Sequence, residues 1–416
     1  MNPQTEPIQE AVLGRIAQEA EQWGPTAGDP GPGTQTKTQD AGGLSVFPKD
    51  AIQGFAREFS ETFTEYLESP FEFWTFSCLT CLGIMLADRI TLDSTLNIQP
   101  RLFTILLGQS ADERKSECLK QTTGEFCETF PDRFSPCWGV GSAEGMAARL
   151  EKKPKTILVF DELKTFVSKS TIDGAILLPA VNTLFESNRF HSNTKSHSIE
   201  INNGLLSVLA ATTVETYSRM WTPVFMDIGF LNRLWLVPAR AEKKFAIPES
   251  LPQWKRDRLR GKLREVILRY RDLNVFRVSR EAKSIFNEWY ADRTKSPLFG
   301  KRLDTYGHRL MTLFAANEGA GEITGDIAGR VVSLLRWQEQ VRRALDPIDA
   351  ESTTARMEES IRRALLYGAR KERELKIKVN YSRHGLYVWK MAIQNLMAAQ
   401  EISFDSKGKS YFLRVV

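Results

Sequence analysis

Residues 103–116 read FTILLGQSADERKS and combine the two features on which the fold prediction depends. The run Phe103–Leu107 is short and mainly apolar, which is typical of a strand covered on both faces of a parallel sheet. It ends at Gly108, and Lys115 and Ser116 then open a predicted helix. Amides at a helix N-terminus, a lysine and a hydroxyl are the groups that bind nucleotide phosphates and Mg²⁺. The stretch therefore predicts a strand, a phosphate-binding loop and a helix.

This loop differs in two ways from the usual spacing G-x-x-x-x-G-K-[ST]. Arg114 stands at the second glycine position, and the interval from Gly108 to the lysine is one residue longer. Asp112 and Glu113 would bring negative charge to the phosphates unless they point outward. If only the loop sequence is considered, the alternative is a lysine–serine pair that begins a helix and binds no phosphate. The predicted ATP contacts are Gly108, Gln109, Ser110, Arg114, Lys115 and Ser116.

A second apolar run, Ile157–Phe160, leads into Asp161 and Glu162. At the carboxyl end of a strand, Asp161 can hold Mg²⁺ through water while Glu162 polarises the attacking water. The alternative is a helix whose first turn carries two acids. We expect Asp161, together with Ser116, to be the Mg²⁺ ligands and Glu162 to be catalytic.

Two more runs complete the pattern. Leu205–Ala211 leads into Thr212 and Thr213, which could sense the γ-phosphate or orient water; a threonine pair in a turn is the alternative. Arg233 precedes the run Leu234–Val237 and could act as an arginine finger across a subunit interface, or form a surface salt bridge. The order of the four elements predicts an α/β fold with a RecA/AAA-like parallel sheet flanked by helices.

The bulk composition, with 42% hydrophobic and 26% charged residues and a net charge of +5, is that of an ordinary globular protein. The polar start lacks the pattern of a secretory signal, and five cysteines on a long chain fit a reducing compartment, so we expect a cytoplasmic protein with no membrane span. Residues 71–87 predict a buried helix, and its CxxC pair, Cys78 and Cys81, predicts structural cysteines rather than a zinc site.

The expected domains follow the changes in composition along the chain. Residues 24–43 are dense in Gly, Pro, Thr and Gln, which is typical of a disordered linker. Beyond residue 240 the pattern becomes helical. The predicted organisation is a disordered tail and linker at 1–45, a P-loop ATPase core with a helical lead-in at 46–240, a helical domain at 241–350 and a winged-helix-like domain at 351–416.

The winged-helix prediction rests on the end of the chain, where helices are followed by a small hairpin with strands at 401–404 and 410–415. Arg383, Lys390 and Lys407 are the predicted nucleic-acid contacts, because they lie in or near the expected recognition helix and wing. A winged helix that contacts protein instead is the alternative.

The segments GQSADERKSECL, KTILVFDEL, GLLSVLAATT and GFLNRLWLVPA together resemble the RecA-like P-loop family known as domain of unknown function 3987. The resemblance covers roughly residues 47–345. Members often stand beside primase or helicase modules in prophage and plasmid proteins, and they have Arg-Lys-Ser/Thr where other P-loops have Gly-Lys-Ser/Thr. The resemblance implies nucleotide binding, DNA metabolism of a mobile element, and nucleotide and Mg²⁺ contacts at Lys115, Ser116, Asp161 and Glu162.

Two functions fit these observations. The first is an ATP-binding and ATP-hydrolysing protein that acts on DNA as a helicase-like or replication-initiation factor, with a homo-oligomer such as a hexameric ring and a replication partner such as a primase. The alternative is a degenerate P-loop protein that binds DNA or a protein partner without hydrolysis, which the altered loop favours.

Overall fold

The structure of the protein is a computed structural model. It describes residues 46–96, 98–109, 113–171, 175–193, 198–221, 225, 227–242, 245–293, 301–345, 352–365, 368–406 and 408–414. The predicted linker at 1–45 and the predicted site residues Ser110 and Lys407 lie outside these ranges. Within them, no helix combines the length and apolar character that crossing a membrane requires.

Helices and strands alternate through the first half of the chain, and helices dominate the second half. The helices are α1 Gly54–Thr64, α2 Phe71–Leu86, α3 Lys115–Thr129, α4 Ala143–Lys152, α5 Leu163–Ser170, α6 Leu177–Glu186, α7 Val214–Arg219, α8 Gln253–Arg269, α9 Arg280–Arg293, α10 Leu303–Glu318, α11 Gly325–Leu345, α12 Thr353–Leu365, α13 Glu372–Lys378 and α14 Leu386–Ala398. The strands are β1 Ile90–Leu92, β2 Phe103–Gly108, β3 Cys137–Trp138, β4 Lys155–Phe160, β5 Phe190–Asn193, β6 Ser198–Ile201, β7 Leu205–Thr213, β8 Trp235–Pro238, β9 Asn274–Phe276, β10 Arg370–Lys371, β11 Ile402–Asp405 and β12 Ser410–Leu413.

The central sheet has five strands, all parallel, in the order β3-β4-β7-β2-β8. Strands β2, β4, β7 and β8 are the four predicted apolar runs, and helices cover both faces, which explains why these runs do not alternate with polar residues. The two-residue strand β3 has no apolar run and was not predicted. An all-parallel sheet flanked by helices confirms the α/β prediction and is consistent with a Rossmann- or RecA-like core.

The predicted buried helix is α2, which packs against α1 and the central sheet. Its residues from Phe71 to Leu86 are buried apart from Glu72, because α1 covers one side and the strands cover another. The ring of Phe63 on α1 stacks on Trp74 with the ring centroids 4.5 Å apart. Truncation of one such buried side chain, for example Leu79→Ala, is expected to cost about 2–5 kcal/mol of unfolding free energy.

The helices of the predicted region 241–350 share the hydrophobic core of the sheet. One cluster of buried side chains runs from Phe47 to Val341. Tyr306 on α10 lies in it, and its hydroxyl donates to the backbone oxygen of Arg233 at 2.6 Å. These helices therefore support the sheet directly.

Residues 352–414 form a smaller unit with a separate buried cluster. Helices α12, α13 and α14 pack with a three-stranded antiparallel sheet in the order β10-β12-β11. The predicted terminal hairpin is present as β11 and β12, and Arg362 on α12 contacts Glu401 just before β11 with a bidentate ion pair. Two-stranded sheets β1-β9 and β5-β6 complete the described fold.

Candidate functional site

The candidate site lies at the carboxyl edge of the central sheet. Parallel strands end at one edge, so the residues that follow β2, β4 and β7 meet there. Strand β7 lies between the other two, with Gly108 opposite Thr213 and Phe160 opposite Ala210. The sheet order therefore places the threonine strand beside both the lysine loop and the acidic strand.

Arg114, at the position where the usual loop pattern has a glycine, adopts a left-handed backbone conformation, which glycine favours. Its φ is 43° and its ψ is 41°, in the left-handed region, immediately before α3 begins at Lys115. For a residue with a Cβ this costs roughly 1–2 kcal/mol. Two contacts oppose that cost: Arg114 Nε lies 3.1 Å from Glu68 Oε2, and Ser69 Oγ donates to the Arg114 backbone oxygen at 3.1 Å. Arg114 therefore adopts, at this position, a backbone conformation that glycine favours.

Lys115 turns back over the end of β2. Its Nζ donates to the Gln109 backbone oxygen at 2.5 Å and lies 3.5 Å from Glu113 Oε2. A Cβ on Gly108 would stand 2.8 Å from Glu113 Oε2 and 3.0 Å from Lys115 Nζ. Gly108 is thus required for the close approach of these two charged groups to the strand.

The side chain of Glu113 points inward. The sequence alone did not determine this direction. Its side chain is 3% exposed, and among the described residues its Oε2 has no hydrogen-bond donor. The carboxylate therefore holds negative charge beside Lys115, the residue predicted to receive phosphate. Asp112 lies outside the described residues.

Glu162 and Thr212 form the best-defined contact at the acidic end of the site. The Thr212 hydroxyl, on a residue that is 1% exposed, donates to Glu162 Oε1 at 2.8 Å. The same carboxylate oxygen accepts from the backbone N–H of Lys164 at 3.2 Å and caps α5. Glu162 is held in one orientation at a strand end, as a residue that positions water requires.

Thr213 serves the fold. Its Oγ1 accepts from the Thr216 backbone N–H at 3.0 Å and donates to the Thr216 hydroxyl at 2.9 Å, so it is the N-cap of α7. Of the two threonines predicted from the sequence, Thr212 is the one directed at the acidic strand.

The two predicted Mg²⁺ ligands line two different cavities. Ser116 lies in its first turn and lines a cavity of about 630 Å³. Asp161 is exposed and lines a second cavity of about 380 Å³ with Lys120 and Thr123. Among the residues that the structure describes, no group of three His, Cys, Asp or Glu side chains is arranged to hold a metal ion. A hydroxyl and one carboxylate fit Mg²⁺, which in nucleotide sites takes its other ligands from phosphates and water.

Arg233 lies away from this site in the single chain. It precedes β8, whose first residue, Trp235, pairs with Thr104 near the start of β2. Arg233 is therefore at the amino edge of the sheet, and its guanidinium donates to the backbone oxygens of Ile228 and Gly229 at 3.2 and 2.8 Å. A role in the site of a neighbouring subunit stays a prediction.

The larger cavity involves residues that the sequence did not single out. It extends from the start of α3 to Phe63, Tyr66 and Leu67 at the end of α1, and to residues 248–251. The spacing of Phe63 and Tyr66 indicates only a helix, and residues 248–251 carry no motif. Their approach to the loop is a consequence of the tertiary fold.

The cysteines of the CxxC pair are buried in α2. Burial raises the pKa of the Cys78 and Cys81 thiols well above the usual value, and both stay protonated. Metal binding requires the thiolate. The predicted structural role agrees with this environment.

The predicted nucleic-acid contacts lie in the C-terminal unit. Arg383 is exposed in a short 3₁₀ turn before α14, and Lys390 is exposed on α14 itself. Residues 352–416 contain 13 Lys and Arg against six Asp and Glu, a net charge of +7, whereas the whole chain carries +5. The positive charge of the protein is thus concentrated in this unit.

No protein-family model matches the chain, and no curated protein matches it significantly.

Proposed function

We propose that this protein binds and hydrolyses ATP at the carboxyl edge of its central sheet and acts on DNA through its C-terminal unit. The observation that carries the first part is the convergence of three strand ends. The loop after β2 supplies Lys115 and Ser116, β4 leads into Asp161 and Glu162, and β7 between them supplies Thr212. The order also agrees with the RecA-like resemblance, as an analogy at the level of fold.

Each residue has a chemical role in this proposal. Lys115 and the free N–H groups at the start of α3 bind the phosphates. Ser116 and Asp161 hold Mg²⁺, which neutralises phosphate charge when bound. Glu162 orients and polarises the attacking water, and Thr212 fixes the carboxylate so that its second oxygen is free for this role.

For the DNA-binding part we infer a winged helix. The order helix, strand, helix, helix, strand, strand, with β10 beside the last strand, is typical of that fold, and the strands β11 and β12 would belong to its wing. On α14, Trp389 and Leu396 are buried, whereas Tyr387, Lys390 and Gln394 are exposed. That exposed face fits a recognition helix, with Arg383 and Lys390 directed at phosphates.

The test is a titration of duplex DNA at two salt concentrations. Charge reversal of Arg383 and Lys390 together is expected to weaken DNA binding at least ~10-fold and to lower the salt slope by about 2, because each phosphate contact releases about one counterion. MgADP binding is expected to stay unchanged. The matched control reverses Arg280 and Lys283, which are exposed on α9. Equal affinities and slopes in all three proteins would mean that the unit binds protein instead.

The alternative function, nucleotide or partner binding without hydrolysis, has one observation in its favour. Glu113 already places a carboxylate beside Lys115, so a bound nucleotide has to displace or accommodate it. Assays of ATP hydrolysis with single-stranded and duplex DNA separate the two functions: we expect turnover, and binding without turnover under every DNA condition would select the alternative.

A ring assembly and a replication partner belong to the same proposal. A hexameric ring would bring Arg233 to a neighbouring subunit, after release of its contacts with the oxygens of residues 228 and 229. A primase is the replication partner that the family resemblance implies.

A further inference from the structure

We propose that the cavity of about 630 Å³ beside the start of α3 receives the nucleobase and ribose of the bound nucleotide. This rests on the proposed function, because the cavity is continuous with the residues assigned to the phosphates. Arg114, Lys115 and Ser116 line one end. The cavity is also lined by residues at the end of α1 and by residues 248–251. No sequence motif marks this region.

The walls suit a flat aromatic ligand. Phe63 and Tyr66 line the cavity together with Leu251, which is 7% exposed. The ring of Phe63 is fixed by stacking on Trp74. Tyr66 carries the Lys255 ammonium 4.8 Å from its ring centroid. Rings that are already fixed lose little freedom when a base stacks on them.

The two ends of the cavity are held together by one side chain. Glu68 accepts from Arg114 Nε at 3.1 Å through Oε2, and from the Phe245 backbone N–H at 2.9 Å through Oε1. The first contact holds the phosphate loop, and the second holds the chain just before residues 248–251. Glu68 thereby links the phosphate loop at Arg114 to the chain segment that leads into residues 248–251.

The polar groups along the cavity are paired with one another. Gln121 Nε2 donates to Glu117 Oε1 at 2.7 Å, and Gln121 Oε1 accepts from Arg256 Nη2 at 3.3 Å. Arg256 also pairs with Glu125. The aromatic rings of the cavity offer stacking to a base, and every base has a face that stacks. The cavity is therefore expected to bind purine nucleotides with little preference, within about tenfold between ADP and GDP.

The test compares MgADP with magnesium pyrophosphate by calorimetry. Both ligands contact the phosphate end, but only MgADP fills the cavity. In the wild-type protein MgADP is expected to bind at least ~10-fold more tightly than pyrophosphate, which is the contribution of one stacked base. Tyr66→Ala and Ser250→Trp are expected to lower MgADP affinity about tenfold and to leave pyrophosphate binding unchanged. Ser250 is exposed on the cavity rim, so its replacement fills the cavity without disturbing the core.

Tyr290→Ala, which removes a tyrosine on α9 that is 44% exposed, is the matched control and is expected to bind both ligands as the wild type does. Equal affinity of the wild type for MgADP and pyrophosphate would overturn the cavity assignment while leaving the phosphate site in place. An equal loss for both ligands in Ser250→Trp would overturn it as well. Binding of neither ligand to the wild type would instead overturn the proposed function.

Discussion

The loop after β2 and the ends of β4 and β7 form two halves of one site, and they differ in how they reach their geometry. The loop has an arginine in a left-handed conformation and a buried carboxylate beside its lysine. The strand ends have Thr212 donating to Glu162, as the proposed chemistry requires. In the proposed site, the half assigned to phosphate binding departs from the usual loop pattern, whereas the half assigned to water activation has the arrangement expected from the sequence.

The largest effect on nucleotide binding is expected from Lys115→Ala. Loss of the ammonium removes the charge that binds phosphate, so MgADP affinity should fall about 100-fold. Calorimetry measures it, and Lys152→Ala, which removes an exposed lysine at the end of α4, is the control. Unchanged MgADP affinity in Lys115→Ala would remove the loop from the site.

Thr212→Val tests the other half. Valine keeps the volume but removes the donor to Glu162, which should lower the rate of ATP hydrolysis roughly tenfold without changing MgADP affinity. Steady-state phosphate release and calorimetry give the two values. A matched fall in binding would show that Thr212 supports the fold of the site rather than its chemistry.

Much of this architecture follows from the sequence, and the exceptions have physical causes. Strands covered on both faces read as apolar runs, so β2, β4, β7 and β8 could be predicted, but the two-residue β3 could not. The position of Arg233 at the amino edge of the sheet could also be predicted from the sequence. A residue that precedes a parallel strand lies at the edge opposite to that of a residue that follows such a strand.

Other features of the site depend on the tertiary fold. Glu113 points inward next to the left-handed residue Arg114, which contacts Glu68 and Ser69 more than 40 positions earlier. The role of Thr213 depends on where α7 begins. No local pattern of residue types contains that information.

Glu113→Gln tests whether the buried carboxylate beside Lys115 weakens nucleotide binding. The amide has the same shape but removes the negative charge beside Lys115, so MgADP affinity should rise about fivefold. Glu151→Gln, at an exposed position on α4, is the control. An affinity that falls would mean that the carboxylate orients Lys115 for phosphate instead of competing with it.

The smallest effect concerns the backbone of residue 114. Arg114→Gly and Arg114→Ala both lose the contact with Glu68, but only alanine retains the left-handed penalty. Chemical denaturation should therefore show Arg114→Ala to be less stable than Arg114→Gly by about 1 kcal/mol. Equal stabilities would mean that the loop relaxes out of this conformation.

The proposed function assigns ATP hydrolysis at this sheet edge to Glu162. Its most direct test is phosphate release by Glu162→Gln, with MgATP binding measured on the same sample. We expect Glu162→Gln to bind MgATP within about twofold of the wild-type affinity and to hydrolyse it at least ~100-fold more slowly, because an amide cannot polarise water as a carboxylate does. Hydrolysis by Glu162→Gln at the wild-type rate would contradict it.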